Sequence, residues 1–329
     1  MSAAAERHSV RDHLYLALHH EGCDGWGEIS PQPRSLNGDP GVDEVLTSLV
    51  HEVIPRLDRL LDTLGEVPQP GRVGAIMSGR GPDRFASALL EGALTDWWLR
   101  RENQALEDRF EPRFATGVIR SAPDDWSHAE EEAARWRVKV GSAERTHEWW
   151  EELSRRRREV LLDFNASASS IDEVLRVLER AREYCLVVAV EQPFAVGNLV
   201  DIARLSEAID VPISVDEGVR HPSDVDLSIR HGASLLCLKA PRVGGWSSVE
   251  ILAQRALARG AQVYVGGFFE GRLGRALAKS VARSLTSVPS DIAEVAFLDD
   301  EAVEPVPGGV GWRPRSEVPL VFDSTLGEA

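Results

Sequence analysis

From Phe114 onward, short apolar runs alternate with helical segments at a period of about 25 residues, and this rhythm restricts the fold more than any other feature of the chain. The strand-like runs fall at 114–119, 135–141, 159–164, 186–191, 211–216, 234–239, 261–267 and 294–298. Helical periodicity occupies 143–157, 170–183, 197–209, 222–231, 246–259 and 272–285. Strict alternation predicts a parallel sheet with crossover helices. Eight strands at this spacing predict a closed β/α barrel of the TIM type rather than an open sheet. No GxGxxG follows the first strand, which argues against a dinucleotide-binding sheet.

The flanking sequence has a different texture. Residues 12–30 read as a strand pair around the turn-forming Glu21-Gly22-Cys23-Asp24-Gly25, and 42–64 and 82–106 read as long helices. Residues 31–41 and the stretch around Pro68, Pro70 and Gly71 read as loops. The spacing therefore predicts a small α+β domain over 1–112, a β/α barrel over 113–299, and a Pro- and Gly-rich tail, 300–329, that packs back on the first domain.

Barrel active sites lie at the C-terminal ends of the strands, and here those ends are charged. The second strand carries Arg137 and Lys139 on one face, the third Asp163 and Asn165, the fourth Glu191, the fifth Asp216 and Glu217, and the sixth Lys239. The seventh ends in Gly266-Gly267, where missing side chains are expected to leave room for a ligand. A buried carboxylate is costly unless paired or bound to metal. Three converging acids suit a hard cation, magnesium or manganese. A cation between two lysines suits removal of a proton α to a carboxylate, because the cation stabilises the second negative charge and a lysine near cations can act as a base. The same ring of charges also suits a structural ion-pair network without metal. Arg137 reads equally as a substrate contact or as support for Lys139. His221 is a minor candidate for ligand contact.

Composition narrows the classes further. The chain has 329 residues, is 43% hydrophobic and carries a formal net charge of -16, which fits a core-forming enzyme and argues against a nucleic-acid partner. No apolar run is long enough to span a bilayer, and the first residues lack the apolar core of a signal peptide, so a cytoplasmic location is expected. Cys23, Cys185 and Cys237 show no metal or redox spacing, and Cys185 and Cys237 read as small core residues.

At its strand ends the chain resembles the enolase superfamily in its muconate-lactonising subgroup. The resemblance rests on Arg137-x-Lys139, Asp163-x-Asn165, Glu191-Gln192-Pro193, Asp216-Glu217 and Lys239 followed by Gly244-Gly245. It implies a (β/α)7β modified TIM barrel with an α+β cap. It also implies Asp163, Glu191 and Asp216 as Mg2+ ligands, with Lys139 and Lys239 as the acid/base pair. Within the subgroup, Arg11-Asp12-His13-Leu14-Tyr15-Leu16 leading to Gly25-Trp26-Gly27-Glu28-Ile29 is similar to the cap hairpin of the o-succinylbenzoate synthases, as is Val138-Lys139-Val140-Gly141. That implies a lyase of menaquinone biosynthesis acting on a small carboxylate by syn-dehydration. The alternatives are an N-acylamino-acid racemase or dipeptide epimerase, and a non-catalytic relative with an altered cap. Arg137, Asn165, Glu217, Gly266 and Gly267 are expected to contact substrate or support the site. A homo-oligomer is left open.

Overall fold

The computed structural model describes residues 12–77, 81–123, 126, 133–140, 147–156, 158–293 and 302–315. Leu14–His20 (β1) and Cys23–Ile29 (β2) form the expected antiparallel hairpin. The expected helix over 42–64 is two helices, Val42–Ser48 (α1) and Ile54–Leu64 (α2), joined by a π-helical turn at Leu49–Val53. Pro55 explains the turn, since it has no N–H and its ring crowds a preceding carbonyl. Pro70–Met77 is α3 and Pro82–Arg101 is α4. α4 stops short of the expected 106: Asn103 takes a left-handed φ of 52°, and the Gln104 N–H returns to the Leu99 carbonyl at 2.7 Å. The hairpin packs on α4, which buries Phe85, Leu89, Leu90, Leu94 and Trp97 in the cap core. Leu106–Arg109 is the short α5.

Seven parallel strands follow in sequence order: β3 (Ile119–Ser121), β4 (Arg135–Lys139), β5 (Glu159–Asp163), β6 (Leu186–Glu191), β7 (Ile213–Val215), β8 (Leu235–Leu238) and β9 (Gln262–Val265). Between them run α6 (His147–Arg155), α7 (Ile171–Arg182), α8 (Leu199–Ala208), α9 (Pro222–Arg230), a short α10 (Ala240–Val243) and α11 (Trp246–Leu257). α12 (Arg272–Leu285) follows β9. The first strand lies a few residues later than the expected 114–119. The expected strand at 294–298 lies outside the described residues. A shorter segment closes the sheet: Val118 bridges Ser290 in parallel, and the Asp291 N–H donates to the Val265 carbonyl at 2.9 Å. The fold is thus an α/β barrel with a helical outer layer.

Period-two alternation sorts the strands, except that an extra residue, Val188 of β6, puts Val187 and Ala189 on opposite sides. Ile119, Leu161, Ala189, Leu235, Cys237 and Tyr264 fill the barrel interior. Val160, Leu162, Val187 and Val190 pack outward on one side, and Leu236, Leu238, Val263 and Val265 on the other. Beyond the barrel, Val303–Pro305 (β10) and Trp312–Pro314 (β11) form a second hairpin. It is tied to α4 by Asp96, whose Oδ1 accepts the Val310 N–H at 2.7 Å while Oδ2 accepts the Trp26 N–H and Arg100 Nε, each at 2.9 Å. Cap and barrel also meet through glutamates at helix N-termini. Glu28 accepts N–H groups of Gly271 and Gly274 at the start of α12, and Glu91 accepts the Ser247 N–H at the start of α11. Gly245 permits the second contact, since a Cβ there would lie 1.6 Å from Glu91 Oε2. No helix of the described residues is long and apolar enough to cross a membrane.

Candidate active site

Three carboxylates stand where the strands end. Asp163 closes β5 and Glu191 closes β6, and the two are register partners. Asp216 follows β7 directly. Inward orientation follows from parity with the interior Leu161 and Ala189 two residues earlier. All three are at most 3% exposed. Asp163 turns both oxygens toward Asn165, accepting its N–H at 2.9 Å and its side-chain amide at 3.1 Å. Asn165 reaches back because its φ is 44°. Asp216 accepts from Lys239 Nζ at 2.8 Å and from Arg242 Nη1 at 2.5 Å.

Arg137 links the acids. Its Nε donates to Glu191 Oε2 at 3.2 Å and lies 4.0 Å from Asp163 Oδ2, while Nη1 reaches Asp291 at 2.8 Å. Arg137 is thus buried among three protein carboxylates. Lys139, two residues on, is half-buried at the end of β4 and is the register partner of Asp163. Lys239 stands across the mouth, with Nζ 5.2 Å from the centre of the Phe268 ring. Among the described residues of the mouth, Glu191 Oε1, Glu217 Oε2 and Arg137 Nη2 are buried without a hydrogen-bond partner.

The crowding of acids shows in their protonation. Burial pushes Glu191 up to about 8, with Arg137 opposing and Asp163 and Asp216 adding. Burial pushes Glu217 up to about 7, and the neighbouring Asp216 adds to it. Burial also works against the charged form of Asp216, but Arg242 and Lys239 outweigh it and hold this carboxyl well below the usual range. Lys239 is the converse: burial opposes its charge, and Asp216 outweighs burial, so its ammonium is stabilised.

The glycines of the seventh strand serve a different purpose from the expected one. A Cβ on Gly266 would lie 2.4 Å from Cys237 Sγ and 2.7 Å from Lys239 Cε, and one on Gly267 would lie 2.5 Å from Arg275 Nη1. The vacated space is filled by the protein's own Lys239, Cys237 and Arg275 rather than left for a ligand. His221, a minor candidate, meets Arg84 of α4 at 2.5 Å.

Arg242 and Asp39 were not anticipated. Arg242 binds Asp39 through Nε at 2.9 Å and Nη2 at 2.6 Å while holding Asp216. Arg220 adds bonds to the carbonyls of Gly38 and Asn37 at 2.6 and 2.8 Å, so the 31–41 loop of the cap is tied to the barrel mouth. The donors of Glu191, Asp216 and Cys237 lie within 4.8 Å of one another.

A family model described as Enolase C-terminal domain-like matches residues 127–307. An o-succinylbenzoate synthase of Enterococcus faecalis is 27% identical over 323 residues, covering 91% of this chain and 86% of its own. An N-succinylamino acid racemase of Thermus thermophilus is 26% identical over 348 residues, covering 95% of this chain and 89% of its own. Among solved structures, a muconate lactonizing enzyme from Pseudomonas fluorescens complexed with muconolactone has a TM-score of 0.80 at 20% identity, covering 96% of this chain and 92% of that one. This last likeness is one of fold.

Proposed function

The chain belongs to the enolase superfamily, and on that premise we propose that it removes a proton α to the carboxylate of a small substrate, with Mg2+ or Mn2+ as cofactor. The observation that carries this reading is the orphaned Glu191 Oε1, buried among the acids of a barrel mouth flanked by Lys139 and Lys239. Unsatisfied buried carboxylate oxygens are costly, and a divalent cation would satisfy them. Asp163, Glu191 and Asp216 would hold it. When bound, the cation stabilises the second negative charge that builds on the substrate carboxylate as the α-proton leaves.

The chain's own residues divide the remaining tasks. Lys139 takes the α-proton. Lys239, kept cationic by Asp216 at 2.8 Å, holds charge from the opposite side. For a β-hydroxylated substrate, protonated Lys139 then returns its proton to the departing hydroxide, which leaves as water. Arg137 and Asn165 keep Glu191 and Asp163 in place, and the cap loop held by Asp39 closes over the substrate. A lyase of the o-succinylbenzoate synthase type is supported by similarity, across most of the chain, to a synthase of that name. A racemase of N-acylamino acids is the second reading, supported by similarity over 95% of the chain to a racemase. There Lys139 and Lys239 exchange protons from opposite faces.

The test is a Mg2+-dependent assay on the hydroxylated precursor of o-succinylbenzoate, with Lys139→Ala and Lys239→Ala beside wild type. Turnover lost by about 10³-fold or more in both variants is expected. A wild type that is inactive on the precursor but exchanges the α-proton of N-acylamino acids with solvent deuterium would replace the lyase with the racemase. No turnover and no exchange in either assay would overturn both.

A further inference from the structure

Cys237 reads in the sequence as a small core residue, but its position gives it chemistry. Leu235 and Cys237 face the barrel interior while Leu236 and Leu238 pack outward. Strands in a barrel are tilted and staggered, so a thiol one pleat below Lys239 rises to the level of Asp216, after the adjacent strand, and of Glu191, on the strand beyond that. Its Sγ, a Glu191 oxygen and an Asp216 oxygen all lie within 4.8 Å of one another. Donors bonded to one cation at about 2.0–2.5 Å are separated by at most about 5 Å. Independently, Glu191 Oε1 is buried and has no hydrogen-bond partner. The absent Cβ of Gly266 gives Sγ its seat.

We propose that Cys237 supplies a sulfur donor to the cation site, so that the site accepts thiophilic divalent cations such as cadmium, zinc or cobalt as well as a hard one. The proposal rests on the metal-site reading given above. Mg2+ ignores sulfur, whereas softer cations favour thiolate. On binding, the cation forms a bond to Sγ, the S–H proton leaves to solvent, and nothing is oxidised or reduced.

The experiment titrates the full chain with cadmium chloride and follows the near-ultraviolet thiolate-to-cadmium charge-transfer absorption. Cys23 is the rival thiol, since it lies across the hairpin from His20 and beside Asp24. Cys23→Ala and Cys237→Ala are therefore titrated in parallel, with Cys237→Ser as a second replacement and thermal melts to confirm folding. The expected result is one band per chain in wild type, kept in Cys23→Ala and lost in Cys237→Ala. Cadmium affinity in Cys237→Ala should fall about tenfold or more, while Mg2+ affinity changes by less than about threefold. A wild type without the band overturns the proposal whether or not the variants fold, and so does a band that survives in Cys237→Ala. Mg2+-dependent turnover without any cadmium band would remove the sulfur donor and leave the proton-abstraction reading intact. Failure to bind either cation would remove both.

Discussion

Glu28 and Asp96, where the cap meets its neighbours, have a donor on every carboxylate oxygen, whereas Glu191 and Glu217 at the barrel mouth each leave one oxygen with none. All four are at most 5% exposed. Burial alone therefore does not separate them. Glu28 accepts two helix N-terminal N–H groups and also meets His13 Nδ1 at 2.8 Å, while Asp96 accepts two backbone N–H groups and Arg100. These acids are complete within the protein. The mouth acids instead share cations among several carboxylates: Arg137 serves Glu191 and Asp291, and Arg242 serves Asp216 and Asp39. An acid left short of partners in a low-dielectric site is poised for something that the chain itself does not supply.

This contrast is broken most strongly by exchanging Glu191 for Gln. Turnover should fall about 10³-fold or more, with Mg2+ affinity falling alongside it. The metal-free protein should melt no lower than wild type, because the exchange removes an acid crowded by Asp163 and Asp216. A large drop in metal-free melting temperature would place Glu191 with the structural acids instead. Glu28→Ala is the mirror image. It orphans two N–H groups at the start of α12 and loosens the hairpin, and each buried unsatisfied donor costs about 1–3 kcal/mol. A loss of about 3–4 kcal/mol in urea unfolding, with Mg2+ binding retained, is expected.

The mouth acids and both lysines were legible in the sequence because the relevant rules are local. A strand alternates every second residue, and a run such as Leu161-Leu162-Asp163 announces its own end. What was not legible depends on distance or brevity. Arg242 sits on a four-residue helix and pairs with Asp39, 203 positions away. The barrel-closing segment at Ser290-Asp291 is too short to show any period. Gly266 was misread because the sequence cannot say whose atoms fill the space beside it. Cys237 was read as core correctly by burial, at 1% exposure, yet the stagger that brings it to the carboxylates is a property of the closed barrel. Pro55 was present in the sequence as a break signal inside the expected helix, and it is answered by the π-helical turn rather than by a stop.

Glu91 stands between the two groups of acids and gives the finest test of the distinction. Its Oε1 accepts the N–H and hydroxyl of Ser247, as a structural acid's would, but its Oε2 has no partner. Burial pushes it up to about 7, against the lowering effect of the Ser247 bonds, and the nearest charges, Arg109 and Glu250, pair with each other at 2.7 Å. The unfolded chain releases this proton near 4.5. Between these values the folded chain holds a proton that the unfolded chain does not, so stability must fall as pH rises across that window and level off above it. The slope contributed is at most about 1.4 kcal/mol per pH unit. Gln at this position keeps the Oε1 acceptor and cannot ionise. At pH 5, where Glu91 is already neutral, Glu91→Gln should differ from wild type by less than about 1 kcal/mol. The gap should then open in favour of the variant up to pH 7, as read from paired denaturation curves at each pH. Parallel pH profiles for the two proteins would mean that Glu91 is held ionised at the seam and belongs with Glu28 and Asp96.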